Sequence, residues 1–281
     1  MFKAIIIAIV EGITEFLPIS STGHMIIVGN FIKFNGIYRS EFTDMYEIVI
    51  QLGAILAIVV LYWDKIWNSF RNLGISSRKS GSVKGTWGGK LWLNILIAFI
   101  PAAILGLKFH KIIEDKLKFP KPVAIALIVG GTLMIIVENM FRKRNNNTKN
   151  IENVTLKQAL GIGVFQCLSL WPGMSRSAST IMGAWIFGLA TPAAAEFSFF
   201  LAIPTMVAAS GYSLLKMKVA MTTMEIIALA IGFLVSFIVA LFVVEGFIGF
   251  LKKKPMRVFS VYRILVGVLL LALAFTNIIK L

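Results

Sequence analysis

The sequence predicts an all-helical protein that crosses a membrane several times and is built as an inverted repeat. Of its 281 residues, 58% are hydrophobic and only 15% are charged, with a mean hydropathy of +0.85, whereas about a quarter of residues are charged in soluble domains. Several apolar runs are long enough to span a bilayer. A polar stretch with a proline break occurs near the start and again after the middle. Each half is therefore predicted to be a re-entrant helical hairpin followed by three transmembrane helices.

The first half is predicted to comprise residues 1–141 and contains the stretch EGITEFLPISSTGH, Glu11–His24. Pro18 lies inside this stretch and is expected to end the first helix, because a proline ring disrupts a helix interior. The hydroxyls that follow it suit the N-cap of a second helix. Because both flanking apolar runs are too short to cross a bilayer, a re-entrant hairpin is predicted over residues 2–32. The long apolar runs after it predict transmembrane spans at residues 45–63, 91–109 and 122–141.

A polar linker, residues 142–154, separates the two halves, and the pattern then restarts. The stretch WPGMSRSAST, Trp171–Thr180, lies between two short apolar runs, as the first polar stretch does. The second inverted repeat is therefore predicted over residues 155–281, beginning with a re-entrant hairpin at residues 155–189. Its transmembrane spans are predicted at residues 193–215, 224–251 and 258–279.

The two hairpins also align across their turns. Pro18 and Ser21 match Pro172 and Ser175 at a constant spacing. Three crossings between the hairpins place the second half upside down relative to the first. Inverted repeats of this kind bring broken helices together near the bilayer midplane, so we expect both polar stretches to form one site.

The net charge of +15 is expected to serve membrane association and not nucleic-acid binding, because the lysines and arginines flank the predicted spans and suit anionic lipid. One side of the membrane has a modest excess of them, and the positive-inside rule makes that side cytoplasmic. The predicted location is the plasma membrane, with both termini and the opening of the site toward the outer face. Cys167 is the only cysteine, which excludes an intramolecular disulfide and a cysteine metal site. A homodimer is left open.

The first polar stretch carries two carboxylates, a histidine and four hydroxyls. Glu11 and Glu15 are four residues apart and share a helix face, where they could bind Mg²⁺ or Ca²⁺ through oxygen ligands or transfer protons. Ser21 and His24 are three residues apart, close enough for a hydrogen bond on one face. Ser20, Thr22 and Gln51 are candidates for contacts with a ligand. Ser20 could equally cap a helix, and Gln51 could equally form a hydrogen bond between helices.

Arg176 is the single arginine in the two predicted hairpins. A buried guanidinium needs an anion, and its planar fork suits phosphate oxygens. It either binds an anionic ligand or pairs with Glu11 or Glu15 only to join the halves. Neighbouring groups that would support an anion site are Gly173, Ser175, Ser177 and Thr180. Arg263, in contrast, is expected to extend to the membrane interface, and His110 is expected in a solvated loop.

EGITEFLPISSTGH and WPGMSRSAST closely resemble the two signatures of the bacterial undecaprenyl-diphosphate phosphatases, the bacitracin-resistance family. The stretches IVIQLGAILA and AAAEFSFFLAIP are also similar to that family, so the resemblance covers nearly the whole chain. Where the family often has SRSGAT, this chain has SRSAST, with Ala178 in place of a glycine. The resemblance implies hydrolysis of a C55 polyprenyl diphosphate to the monophosphate, recycling of the lipid carrier for cell-wall synthesis, and bacitracin resistance. It implies functional roles for Glu11, Glu15, Ser21, His24 and Arg176.

Two mechanisms stay open at the level of sequence. Ser21, activated by His24 or Glu15, could attack phosphorus, or a water activated by the same base could do so. A divalent cation could help to neutralise the diphosphate. The alternative function is an inverted-repeat transporter or lipid flippase, in which the carboxylates and the histidine would relay protons.

Overall fold

The structure, a computed structural model, describes residues 1–34, 40–73, 87–142, 148–216 and 221–275. Within these ranges the chain forms eleven α-helices joined by short 3-10 and π turns and contains no β-strand, which confirms the predicted all-helical class. The helices are α1 (Phe2–Thr14), α2 (Ser21–Phe31), α3 (Ser40–Leu61), α4 (Trp63–Arg71), α5 (Trp87–Ile112), α6 (Pro120–Phe141), α7 (Leu156–Gln166), α8 (Arg176–Ile186), α9 (Thr191–Lys216), α10 (Thr223–Lys253) and α11 (Arg257–Phe275).

Six of the described helices are apolar and long enough to cross a membrane, as expected for a multi-span protein. They contain the segments Phe42–Leu61, Trp87–Ile112, Pro120–Phe141, Thr191–Tyr212, Thr223–Leu251 and Arg257–Phe275. The predicted linker and the last predicted span extend outside the described residues, at 143–147 and 276–279 respectively. His110, expected in a solvated loop, lies instead in the last turn of α5, because no proline follows Pro101 until Pro120 and the helix continues past its predicted end.

Two pairs of shorter helices, α1 with α2 and α7 with α8, precede the long helices of each half. Each of these helices has 11 or 13 residues, too few at about 1.5 Å per residue to cross a hydrocarbon core of ~30 Å. Each second helix begins after a serine with positive φ, 73° at Ser20 and 67° at Ser175. The two hydroxyls accept hydrogen bonds from the amides of Gly23 and Ala178, both at 3.3 Å. The predicted hydroxyl N-cap of α2 is thereby confirmed.

The cap geometry shifts the alignment of the two helix pairs by one residue. Ser20, and not Ser21 as the sequence alignment predicted, is the counterpart of Ser175. The shift arises because the second turn has one more residue between its proline and its cap than the first turn has. Ser21 and Arg176 are consequently equivalent, as the first residues of α2 and α8.

The helices pack in pairs that combine the two halves of the chain. α1 packs against α10 and α7 packs against α5, so the first short helix of each half lies on the second long helix of the other. α3 packs against α9 and α10, and α6 packs against α11. At Gly53 of α3, an added Cβ would overlap the carbonyl oxygen of Phe233 in α10. The close contact between α3 and α10 therefore depends on a glycine.

Gly53→Ala should destabilise the protein, because the added methyl group cannot fit against the α10 backbone and the two helices must separate. Overpacking of this kind costs about 1–3 kcal/mol, which should lower the midpoint of thermal unfolding in detergent by a few degrees. Gly246→Ala, on α10, is the control, since a Cβ there has nothing within 4 Å and alanine has the higher helix propensity. Equal midpoints for the two variants would contradict the described contact of α3 with α10.

Candidate active site

A polar cavity of about 250 Å³ lies between two turns, the one that joins α1 to α2 and the one that precedes α8. The predicted site residues that line it are Glu15, Ser20, Ser21, Thr22, Gln51, Gly173, Ser175 and Arg176. It is also lined by Pro172, which the sequence placed in the second turn, and by residues that the sequence did not single out, Ser169, Thr205, Met206 and Ala209. The other candidates, Glu11, His24, Ser177 and Thr180, do not line this cavity.

Glu15 links the two polar stretches chemically. Its side chain is buried, and Oε2 accepts a hydrogen bond of 2.7 Å from the Ser21 hydroxyl. Oε1 accepts a hydrogen bond of 3.0 Å from Nη2 of Arg176, with which Glu15 forms an ion pair. One carboxylate therefore joins a hydroxyl from the first half to a guanidinium from the second. A carboxylate in this position can accept the proton of the hydroxyl.

Arg176 is held in place by groups from α9 and from the turn after α1. Its Nη1 donates to the carbonyl oxygen of Ser198 at 3.1 Å, and its guanidinium carbon lies 5.5 Å from the centroid of the Phe16 ring. Thr180 is fully buried and shares a hydrogen bond of 2.7 Å with the Ser198 hydroxyl, so it supports Arg176 indirectly. The guanidinium is thus oriented before a ligand binds, which reduces the entropy lost in anion recognition.

Ser177 connects the turn before α8 to the turn after α1. Its side chain is fully buried, and its hydroxyl donates to the carbonyl oxygen of Leu17 at 3.0 Å. Because that proton is already used, the contact of 3.0 Å between Ser177 and Ser175 has the Ser175 hydroxyl as donor. Ser177 therefore joins the two turns and has no surface available to a ligand.

Two helices begin at the cavity. Ser21 and Thr22 start α2, Arg176 starts α8, and all three residues line the cavity. The first amides of a helix have no intrahelical acceptors and carry the positive end of the helix dipole. Two such helix ends, together with a guanidinium, make the cavity suitable for an anion such as a phosphate group.

Glu11 lies one helical turn before Glu15 and is fully buried. Within the described chain, neither of its carboxylate oxygens has a hydrogen-bond partner, and a buried carboxylate normally needs a pairing cation or a proton. Oxygen ligands of this kind fit Mg²⁺ or Ca²⁺. The described residues contain no cluster of three or more His, Cys, Asp or Glu side chains, so the protein would supply only part of a coordination shell.

His24 makes no hydrogen bond to Ser21, the partner expected from their spacing. Its Nδ1 lies 2.7 Å from the carbonyl oxygen of Ser20, which can only accept, so Nδ1 carries the proton. Nε2 then accepts a hydrogen bond of 2.8 Å from the hydroxyl of Tyr262, whose ring stacks on the imidazole. Burial lowers the pKa of His24 below its ordinary value of 6.5. His24 is thus a neutral group that supports the cap of α2.

The structure adds Arg263 of α11 to the surroundings of the site. This side chain was expected at the membrane interface, but it is fully buried. Its Nη2 donates to the carbonyl oxygens of Gly173 and Met174, at 3.0 and 2.8 Å. Gly130 provides the space, since a Cβ there would overlap the guanidinium. In the sequence, Gly130 and Gly131 form a pair of small residues. Such a pair indicates that another part of the protein packs closely against α6, but it does not show which group does so.

Known proteins resemble this chain along nearly its whole length. The family model described as bacitracin resistance protein BacA matches residues 4–269. The chain is 57% identical over 287 residues to an undecaprenyl-diphosphatase of Clostridium novyi (strain NT), covering 100% of this chain and 98% of that protein. It is 53% identical over 279 residues to an undecaprenyl-diphosphatase of Clostridium tetani, covering 99% and 98%. It is also 53% identical over 280 residues to one from Caldanaerobacter subterraneus, covering 100% and 98%.

The depressed pKa of His24 predicts a pH dependence of stability. Above its ordinary pKa of 6.5, the imidazole is neutral in both the folded and the unfolded chain. Below that pH the unfolded chain binds the proton first, so stability is lost as the pH falls toward the lower folded pKa. The midpoint of thermal unfolding should therefore drop more for the parent protein than for His24→Gln between about pH 7.5 and about pH 5. Parallel pH profiles for the two proteins would contradict a neutral His24.

Proposed function

The chain belongs to the bacitracin resistance protein BacA family, and on this premise we propose that it is an integral membrane phosphatase of lipid diphosphates. It hydrolyses undecaprenyl diphosphate to undecaprenyl phosphate and inorganic phosphate, which recycles the lipid carrier for cell-wall synthesis and gives bacitracin resistance. The relatives named undecaprenyl-diphosphatase support this activity. The observation that carries the proposal is the hydrogen-bonded series Ser21–Glu15–Arg176 in one buried cavity.

The diphosphate is bound at the start of α2 and α8. Arg176 contacts the phosphate oxygens with two nitrogens of its planar fork, and the helix N-termini donate amides. Polar side chains that line the cavity and complete the recognition are Ser20, Thr22, Gln51 and Ser175.

Ser21 is the nucleophile in this mechanism. Glu15 accepts the hydroxyl proton across the hydrogen bond of 2.7 Å, and Oγ attacks the terminal phosphorus. The bond between that phosphorus and the bridging oxygen breaks, and undecaprenyl phosphate leaves with the bonding electron pair and takes the proton from Glu15. Glu15, again a carboxylate, accepts a proton from a water that attacks the phosphoserine. It passes this proton to the departing Oγ of Ser21, so inorganic phosphate is released and the Ser21 hydroxyl is restored. Direct attack by a water on the diphosphate is the alternative, and the short contact between Ser21 and its base favours the serine.

A divalent cation, Mg²⁺ or Ca²⁺, is part of the proposal. The carboxylate of Glu11, which has no hydrogen-bond partner within the described chain, and the neighbouring carboxylate of Glu15 would hold it through oxygen ligands. When bound, it neutralises negative charge on the diphosphate.

We also propose that the two halves are inverted relative to each other and that their hairpins enter the plasma membrane from opposite faces. The packing of α1 on α10 and of α7 on α5 supports this arrangement, because it relates equivalent helices. The paired serine caps support it as well. The excess of basic residues on one side supports a site that opens toward the outer face. The relatives carry the name of a hydrolase, which favours the phosphatase over the transporter or flippase.

Purified protein should release inorganic phosphate from undecaprenyl diphosphate, and Ser21→Ala should lower kcat by roughly 10³-fold or more because the nucleophile is missing. Ser20→Gly is the matched control: glycine adopts the positive φ of this position, so the variant should be merely impaired. Absence of phosphate release by the parent protein would overturn the proposed function.

Rapid quenching of a reaction with substrate labelled in its terminal phosphate separates the two mechanisms. Label should appear on Ser21 in the parent protein and on no residue in Ser21→Ala. Absence of label in the parent protein, together with inversion of configuration at phosphorus, would establish direct attack by water.

Removal of divalent cations should abolish most of the phosphate release, and addition of Mg²⁺ or Ca²⁺ should restore it. Glu11→Gln keeps the volume of the side chain but weakens cation binding, so its activity should require a higher cation concentration than the parent protein requires. A titration of phosphate release against free cation measures both effects. Full activity after exhaustive chelation would leave Glu11 as a buried carboxylic acid without a metal.

A further inference from the structure

Helix α4, which follows the first membrane-crossing helix, carries large aromatic side chains on its outer surface. Trp63, Trp67 and Phe70 are 53%, 47% and 47% exposed. Their spacing of four and then three residues places them along one face of the helix. The rings of Trp63 and Trp67 stack, with their centroids 5.9 Å apart. We call these three side chains the aromatic face.

The opposite side of α4 fixes the helix against the protein. Ile66 and Ser69 are buried, and the Ser69 hydroxyl accepts a hydrogen bond of 2.8 Å from Nε1 of Trp92 in α5. Gly88 of α5 allows the two helices to approach, since a Cβ there would overlap the carbonyl oxygen of Ser69. Because these contacts hold α4 in one orientation, the aromatic face stays directed away from the protein.

Lys65 adds an ionic contact between α4 and the second half of the chain. Its Nζ lies 2.8 Å from Oε1 of Glu196 in α9 and 2.9 Å from Oε1 of Glu152 in the 3-10 turn Ile151–Asn153. The charge of Lys65 is therefore already paired. Positive charge for a partner outside the protein has to come from other residues.

The aromatic face lies next to a surface that contacts lipid. α4 begins two residues after Leu61, where the apolar segment Phe42–Leu61 ends. Val60 and Leu61 are exposed, so the lipid-facing surface of α3 reaches the start of α4. Tryptophan is enriched where the hydrocarbon of a bilayer gives way to headgroups, because its ring is apolar and its N–H is polar. The aromatic face therefore suits the headgroup region of the bilayer that α3 crosses.

The charge around α4 favours an anionic partner. After Asp64, the sequence from Lys65 to Lys90 contains six basic residues and no acidic residue. Arg71 ends α4, and its guanidinium carbon lies 5.5 Å from the centroid of the Trp67 ring. Lys90 is exposed in the first turn of α5. A guanidinium stacked on a ring keeps its in-plane N–H groups able to donate to phosphate oxygens.

We propose that α4 binds anionic phospholipids of the surrounding bilayer, with the aromatic face in the headgroup region and with Arg71 and Lys90 on the lipid phosphates. A zwitterionic headgroup offers the same phosphate, but it also carries a cation that the two basic residues repel. A face that combines aromatic rings with basic residues and adjoins lipid-facing side chains favours a membrane over a second protein. This inference concerns membrane contact and does not depend on the phosphatase activity.

Trp67 can report the contact directly, because bromine on a lipid chain quenches tryptophan fluorescence at close range. The protein is reconstituted in vesicles of equal amounts of phosphatidylcholine and phosphatidylglycerol, and one lipid at a time is brominated near the headgroup end of its acyl chains. Subtraction of the signal of Trp67→Phe isolates the emission of Trp67. We expect brominated phosphatidylglycerol to quench this emission at least about twofold more than brominated phosphatidylcholine, and high salt to remove the difference.

Arg71→Gln combined with Lys90→Gln should make the quenching by the two lipids equal, because the positive charge that selects the anionic lipid is gone. The matched control is Lys111→Gln combined with Lys121→Gln. It removes the same charge from exposed lysines at the other end of α5 and at the start of α6, and it should leave the preference intact. If Trp67→Phe does not fold, the same subtraction is made with Trp63→Phe.

Three results would contradict the proposal. Equal quenching by the two lipids in the parent protein would overturn the anionic-lipid site. Absence of quenching by either lipid would show that protein or water covers the aromatic face, and it would overturn the lipid contact altogether. A preference that survives Arg71→Gln with Lys90→Gln would overturn the assignment of the charge to these two residues.

Discussion

A largely buried ion pair between Glu15 and Arg176 is the contact on which the rest of the structure depends. An unpaired charge in an apolar interior is strongly destabilising, so each of these side chains can be buried only because the other is. The two residues are 161 positions apart in the chain, and Ser198 and Phe16 hold the guanidinium where the carboxylate can accept from it. The two halves must therefore be assembled before the cavity has its charge pair, and folding and formation of the site are coupled.

Much of this arrangement could be predicted from the sequence because proline breaks, hydroxyl caps and apolar run lengths act locally. These rules predicted the multi-span class and the cap of α2, and they directed attention to most residues that line the cavity. The hydrogen-bond partner of a side chain, in contrast, cannot be predicted from these local rules. Ser21 was expected to bond either His24 or Glu15, and the turn folds it back onto Glu15. Arg263 contacts a turn 89 and 90 residues away, and no spacing rule connects such positions.

Two kinds of helix form the walls of the site. α2 and α8 begin at the cavity, so their amides and first side chains provide the charge and the hydrogen bonds. α9 passes beside it with an interior proline, and Thr205, Met206 and Ala209 on this helix complete the wall of the cavity.

The equivalence of Ser21 and Arg176, each the first residue after a serine cap, has a consequence for the symmetry of the cavity. In a dimer of identical chains, a site on the two-fold axis presents every residue twice. Such a site would hold either two hydroxyls or two guanidinium groups. Here both helix starts belong to one chain, so the same position can carry a hydroxyl on α2 and a cation on α8. The cavity is therefore chemically asymmetric although the two helix starts have the same backbone form.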